Sequence, residues 1–217
     1  MKNKSKKLFF IGASLTAMFV LWTVSVRFVD VMAIGPHGSS VGFARLNGFV
    51  SDVIGVNISL YTVTDWFGLV PLCTALGFAV FGLVQWIKRK GLLKVDRSIL
   101  LLGCFYMLVM AVYILFEVLV INYRPILIDG VLEASYPSST TMLVMCVMPT
   151  AMMQLSFRIK NRVVRHCVMV VIAAFIAFMV LGRFLSGVHW ISDIIGGALI
   201  STGLVMMYYS ISSSTKK

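Results

Sequence analysis

Six apolar runs, near residues 8–29, 66–87, 98–121, 136–157, 167–182 and 191–210, occupy most of the chain, and each comes close to the roughly 20 residues a helix needs to cross a bilayer. A backbone can cross that medium only if its hydrogen bonds are made internally, so the runs read as helices. The expected fold class is all-α: an integral membrane bundle of six transmembrane helices. Short loops join the runs, so a chain of 217 residues leaves no room for a separate soluble domain, and residues 1–217 read as one membrane domain. With 59% hydrophobic and 12% charged residues the bilayer must be its solvent.

The net charge of +11 would suit nucleic acid only on a solvated basic face. Here the basic residues stand in short clusters between apolar runs, and no nucleic-acid partner is expected. The first run follows Met-Lys-Asn-Lys-Ser-Lys-Lys but is longer than the apolar core of a signal peptide and lacks a small-residue cleavage site, so it reads as a retained helix. Cys73, Cys104, Cys146 and Cys167 sit in or beside apolar segments without CxxC spacing, which fits helix packing rather than disulfides or a metal. No cofactor and no metal is expected; the sequence leaves the oligomeric state open.

Orientation follows from Lys and Arg, which collect in short cytoplasmic loops. Lys2, Lys4, Lys6 and Lys7 precede the first run, and Lys88, Arg89, Lys90, Lys94 and Arg97 lie between the second and third. Arg158, Lys160, Arg162 and Arg165 lie between the fourth and fifth, and Lys216-Lys217 ends the chain. This puts both termini in the cytoplasm of a multi-pass plasma-membrane protein. Arg27, Arg45, Arg124 and Arg183 break the bias and fall at the outer ends, with every acidic residue except Asp96. An arginine held against the sorting rule at a membrane edge marks a functional site. Between Gly35 and Asp65 the chain is too polar to span, yet Val41, Phe43, Leu46, Phe49, Val50, Val53 and Ile54 recur at helical spacing. An extracytoplasmic interfacial helix is expected there, either a lid packed on the bundle or a wall of a lipid access groove. His37 and Arg45 in this stretch carry no catalytic role.

Three short features converge at the outer helix ends: Asn122-Tyr123-Arg124-Pro125, Tyr136-Pro137-Ser138-Ser139-Thr140, and the stretch from Gly182 to Asp193. His189 and Asp193, four apart at a helix start, share a face, so the carboxylate can orient the imidazole and leave its other nitrogen free to attack. Arg124 and Arg183 can clamp a tetrahedral phosphate, helped by the first-turn N–H groups of the fourth helix and the hydroxyls of Ser138 and Ser139.

These residues resemble the type-2 phosphatidic acid phosphatase (PAP2) family, whose pattern is K-x6-R-P, P-S-G-H and S-R-x5-H-x3-D on a six-helix bundle. The chain keeps Arg124-Pro125, Pro137-Ser138, and Arg183-x5-His189-x3-Asp193 behind Gly182. The resemblance implies that His189 is a nucleophile forming a phosphohistidine, that Asp193 orients it, and that Arg124, Arg183 and Ser138 hold phosphate, while Ser139 stands where the family has Gly. Two further positions depart from the pattern: Glu117 stands where the Lys is expected, and Thr140 stands where the family has the His that protonates the leaving oxygen. General acid catalysis contributes about 10²–10⁴-fold in rate, and Thr cannot supply it near neutral pH. Glu133 or Asp129 in the same outer loop can replace the acid, and Glu117 is expected to pair with Arg124 or Arg183.

The resulting expectation is a lipid phosphate or diphosphate phosphatase working at the extracytoplasmic face. Loss of the acid is best tolerated where the leaving group is a phosphate ester, which points to a polyprenyl diphosphate. The alternatives are a binder or carrier of phosphorylated lipid without turnover and a lipid phosphotransferase using the same His. Vanadium haloperoxidases share the site type but are soluble.

Overall fold

The structure is a computed structural model that describes residues 2–214. Its order is α1 (Lys2–Phe28), α2 (Ala44–Ile54), α3 (Ile58–Phe67), α4 (Leu69–Arg89), α5 (Arg97–Val118), α6 (Ser139–Arg158), α7 (Arg162–Leu185) and α8 (Ile191–Ser214). Among the described residues there is no strand, and six helical stretches are long and apolar enough to cross a membrane. Alternating helix direction gathers the Lys/Arg clusters at one end of the bundle and Arg124, Arg183 and His189 at the other. Lys216 and Lys217 lie outside the described residues.

Helices α6 and α8 are central: about half of each span is buried (50% and 56%), against 6% for the span formed by α3 and α4. The main apolar cluster joins Phe19 and Val26 of α1, Leu102, Phe105 and Val109 of α5, Met142 and Cys146 of α6, and Ile200, Leu204 and Tyr208 of α8. Only Cys146 of the four free cysteines is in this core; Cys73, Cys104 and Cys167 are exposed on the bundle surface.

Antiparallel α1 and α8 pack along their whole length, from Ser5 Oγ donating to the Ser210 carbonyl (2.8 Å) to Trp22 Nε1 donating to the Ser192 carbonyl (3.1 Å). Lipid tails are as apolar as Leu, so helices in a membrane associate through close packing, which small residues permit. A Cβ on Gly12 would stand 2.7 Å from the Gly203 carbonyl oxygen, and one on Gly203 would stand 2.6 Å from Thr16 Oγ1.

The structure moves several expected boundaries. Helix α1 runs back to Lys2, because the lysine-rich start can continue a helix beyond the hydrocarbon. The second span begins at Ile58 rather than 66. There the Asn57 side chain accepts the Leu60 N–H (2.9 Å), a capping contact that starts α3 inside the stretch expected to be interfacial. Helix α6 begins at Ser139 rather than Tyr136, because Pro137 and the buried Ser138 close the preceding loop. The interfacial helix is α2, shorter than the polar stretch, and it buries only Ala44 and Asn47.

Overpacking a tight helix contact costs about 1–3 kcal/mol. Gly203→Leu is therefore expected to lower the thermal midpoint of the detergent-solubilised protein, while Gly77→Leu, with nothing within 4 Å of its Cβ position, leaves it unchanged. Equal midpoints for the two variants would contradict the α1–α8 packing.

Candidate active site

The loop from α5 to α6 folds back on itself. Tyr123 bridges Ala134 and Ile128 bridges Val131, with Asp129 and Gly130 at positive φ (50° and 77°) forming the two-residue turn. Arg124 N–H donates to the Glu133 carbonyl (3.0 Å), and Trp190 Nε1 donates to the Tyr123 carbonyl (2.7 Å), which ties this hairpin to the start of α8. Arg124 and Glu133 are thereby cross-strand neighbours, and Arg124 Nε lies 2.9 Å from Glu133 Oε2.

Between α7 and α8, Gly187 takes a φ of +67°, and a Cβ there would meet the Gly55 carbonyl oxygen at 1.9 Å, so only glycine fits this turn. It delivers His189 into the protein interior, 5% exposed. Arg124 Nη1 is 3.2 Å from His189 Nε2. A guanidinium only donates, so Nε2 is the acceptor and the ring proton sits on Nδ1. Nδ1 lies 3.7 Å from Asp193 Oδ2, beyond a hydrogen bond, and that oxygen accepts the Trp190 N–H (3.0 Å). Asp193 therefore caps the first turn of α8 and stands next to the imidazole, a looser pairing than the spacing alone suggests. Ser192 Oγ holds the other carboxylate oxygen at 3.4 Å, and Asn47 of α2 holds Ser192 by donating to its Oγ (3.0 Å) and accepting its N–H (3.2 Å).

Burial pushes His189 well below the usual histidine range, and the neighbouring Arg124 and Arg183 charges push it the same way; the Ser135 backbone opposes them. The ring is neutral at physiological pH, with its lone pair on the nitrogen that faces Arg124.

Arg183, in the last turn of α7, is 2% exposed. Its Nη2 donates to Asp65 Oδ1 (2.8 Å) and to Thr140 Oγ1 (2.6 Å), while Nε and Nη1 are buried without a hydrogen-bond partner among the described residues. Tyr61 of α3 lies between the two arginines, its ring centroid 4.9 Å from the Arg183 guanidinium carbon and 5.9 Å from that of Arg124. Two buried guanidiniums beside one neutral imidazole, with unpaired N–H groups, fit a tetrahedral oxyanion. An apolar cavity of about 480 Å³ is lined by Leu69, Leu72, Val109 and Leu143 together with Ser139 and with Asp65 and Thr140, the two residues to which Arg183 Nη2 donates.

Of the residues expected from sequence, Arg124, Arg183, His189, Asp193, Thr140 and Glu133 come together. Ser139 borders the cavity, but the buried Ser138 turns its hydroxyl into the helix, donating to Thr141 Oγ1 (3.0 Å). Among the described residues Glu117 does not pair with an arginine; it lies beside Tyr113, Pro137 and Ser139, while the carboxylates at Arg124 and Arg183 are Glu133 and Asp65. Asp129 is exposed at the hairpin tip, away from the base where Arg124 sits. Sequence reasoning missed Tyr61 and Asp65, four residues apart on one face of α3; the Asn57 cap was the signal that a helix starts there.

No curated protein sequence matches this chain. A crystal structure of a transmembrane PAP2-type phosphatidylglycerolphosphate phosphatase from Bacillus subtilis is similar in fold, with a TM-score of 0.61 at 17% identity over 94% of this chain and 96% of that one. The sequence model of the PAP2 superfamily matches residues 72–216, which contain Arg124, Arg183, His189 and Asp193. The chain belongs to the PAP2 superfamily.

Proposed function

We propose that this protein is a lipid phosphatase that cleaves a diphosphate ester, a polyprenyl diphosphate by preference, through a phosphohistidine on His189, at the extracytoplasmic face. The observation that carries this reading is the neutral, buried His189 with Nε2 3.2 Å from Arg124 Nη1, across Tyr61 from the partly unpaired Arg183. Family membership and the fold shared with a lipid phosphate phosphatase support the reaction class. The apolar cavity that ends at Thr140 suits the hydrocarbon part of such a substrate.

In the first half-reaction the Nε2 lone pair attacks the terminal phosphorus, and Arg124 transfers its hydrogen bond from Nε2 to the phosphoryl oxygens. Arg183 donates from Nε and Nη1 to the same group as charge develops on it. The bond to the bridging oxygen breaks, and its electron pair leaves with the lipid phosphate. An alkoxide would need a proton at this moment, whereas a phosphate ester is a weak base and departs without one. Thr140 gives its oxygen to Arg183 and has no acid to offer.

Phosphate release measured over lipid mono- and diphosphates is expected to be fastest on diphosphates. His189→Ala should abolish release, Arg124→Ala or Arg183→Ala should lower it at least about 100-fold, comparable to losing one preorganised donor, and Thr140→His should raise it chiefly on monoesters. A wild-type protein that binds these lipids and releases no phosphate would be a carrier. Transfer of the phosphoryl group to an added lipid alcohol faster than to water would mark a phosphotransferase.

Because His189 titrates well below the usual 6.5, its nucleophilic form persists as pH falls through that value. The pH profile of kcat/KM should lack an acid limb at 6.5 and fall only at lower pH. Stability has the same sign: the unfolded chain takes up a proton at the ordinary pKa and the folded one does not, so acidification below 6.5 disfavours folding. An acid limb at 6.5 would contradict a buried neutral nucleophile.

The basic clusters at the end opposite the site fit a cytoplasmic location for that end. A cysteine introduced at the exposed Asp129 should react with an impermeant reagent added to intact cells; labelling only after permeabilisation would reverse the orientation.

A further inference from the structure

Asp65 belongs to none of the motifs that identify the site, yet its carboxylate reaches the clamp. Its Oδ1 accepts a hydrogen bond from Arg183 Nη2 at 2.8 Å, and the same nitrogen donates to Thr140 Oγ1 at 2.6 Å. One guanidinium nitrogen therefore holds a carboxylate next to a hydroxyl that neither gives nor takes a proton readily near neutral pH. The Asp65 side chain is 58% exposed and borders the cavity together with Ser139 and Thr140. Glu133 is the other carboxylate at the clamp, but it engages Nε of Arg124, on the main-chain side of that guanidinium, from the hairpin rather than from the cavity.

We propose that Asp65 is the general base of the second half-reaction and accepts the proton of the water that hydrolyses the phosphohistidine; this rests on the phosphohistidine reading above. The water oxygen attacks phosphorus as its proton passes to the Asp65 carboxylate. The phosphorus–Nε2 bond breaks, and its electron pair returns to the imidazole. Inorganic phosphate leaves, and Asp65 passes the proton to bulk water. A carboxylate engaged with a guanidinium has lone pairs to accept a proton and none to give. It serves this half-reaction and not the first, in which the leaving group must depart unprotonated. The same residue would thus activate water without a histidine at position 140.

The competing role for Asp65 is positioning alone, by holding Arg183. The two roles separate in a rapid-quench experiment on the full-length protein in detergent, using a polyprenyl diphosphate labelled in its terminal phosphate. With Asp65 as base, Asp65→Asn slows hydrolysis of the phosphoenzyme by about 10²–10⁴-fold, the usual range for general base catalysis, and slows its formation far less, so the acid-labile species accumulates. With Asp65 as a strut only, formation slows, KM rises and hydrolysis of whatever phosphoenzyme forms is unchanged, which overturns the proposal. Asp65→Ala, which removes the carboxylate, carries the same comparison should the amide not fold: hydrolysis slowed far more than formation supports the base, and unchanged hydrolysis overturns it. Wild-type turnover without any acid-labile phosphoenzyme would instead defeat the phosphohistidine reading, a result distinct from a labile intermediate whose decay ignores Asp65.

Discussion

Two arginines buried at one end of an apolar bundle govern much of the surrounding architecture. Taking a charge out of water costs several kcal/mol unless partners replace the lost hydration. Arg183 is met by Asp65, by Thr140 and by the face of Tyr61; Arg124 is met by Glu133 and His189 and shares Tyr61. Those partners come from α3, the start of α6, the hairpin and the α7–α8 turn, so satisfying two guanidiniums requires four separate parts of the chain to meet. The membrane helices bring these parts to a common depth, and the buried charges fix how they face one another.

The same economy of groups is visible around His189. Asp193 caps α8 through the Trp190 N–H and stands 3.7 Å from the imidazole Nδ1, outside hydrogen-bond distance. What orients the ring is the combination of that nearby carboxylate, the Gly187 turn and the Arg124 contact at Nε2. Helix α2 enters here as a strut: Asn47 is fully buried and bonded to Ser192, directly before Asp193, while the apolar Phe49 and Val53 of α2 stay exposed. The polar stretch before the second span thus supports the site from behind, at a distance of two residues in the bonding chain.

The bundle and half of the site are legible in the sequence because their signals are local. Apolar runs report spans, Lys and Arg report the two ends, and Arg183, His189 and Asp193 are spaced within one helix–turn–helix. The other half is non-local. Asp65 meets Arg183 across 118 residues, and a reading by mean hydropathy places Asp65 in a polar loop, because Thr62, Thr64 and Asp65 dilute the apolar character of α3. Glu117 shows the converse. Its position next to the site in a motif suggests an arginine partner, but the carboxylates that reach the guanidiniums are Glu133, carried by the hairpin, and Asp65, carried by α3. Ser138 likewise satisfies the pattern, but its hydroxyl is spent on Thr141 within the first turn of α6.

Position 140 ties these arguments to substrate choice. Arg183 Nη2 has two N–H groups and gives one to Asp65 Oδ1 and one to Thr140 Oγ1, so the guanidinium holds both neighbours at once; unlike an imidazolium, the threonine has no proton to give near neutral pH. The arrangement strengthens the anion clamp and gives up the proton that an alkoxide leaving group requires. A site built this way gains at the transition state in proportion to the charge the phosphoryl group carries, and loses only where the departing oxygen is strongly basic. A diphosphate ester meets both conditions: it brings more negative charge to two fixed guanidiniums, and it leaves as a stabilised phosphate anion. The threonine at position 140 and the aspartate that shares Arg183 Nη2 with it are thus the two features on which the proposed preference for a diphosphate rests.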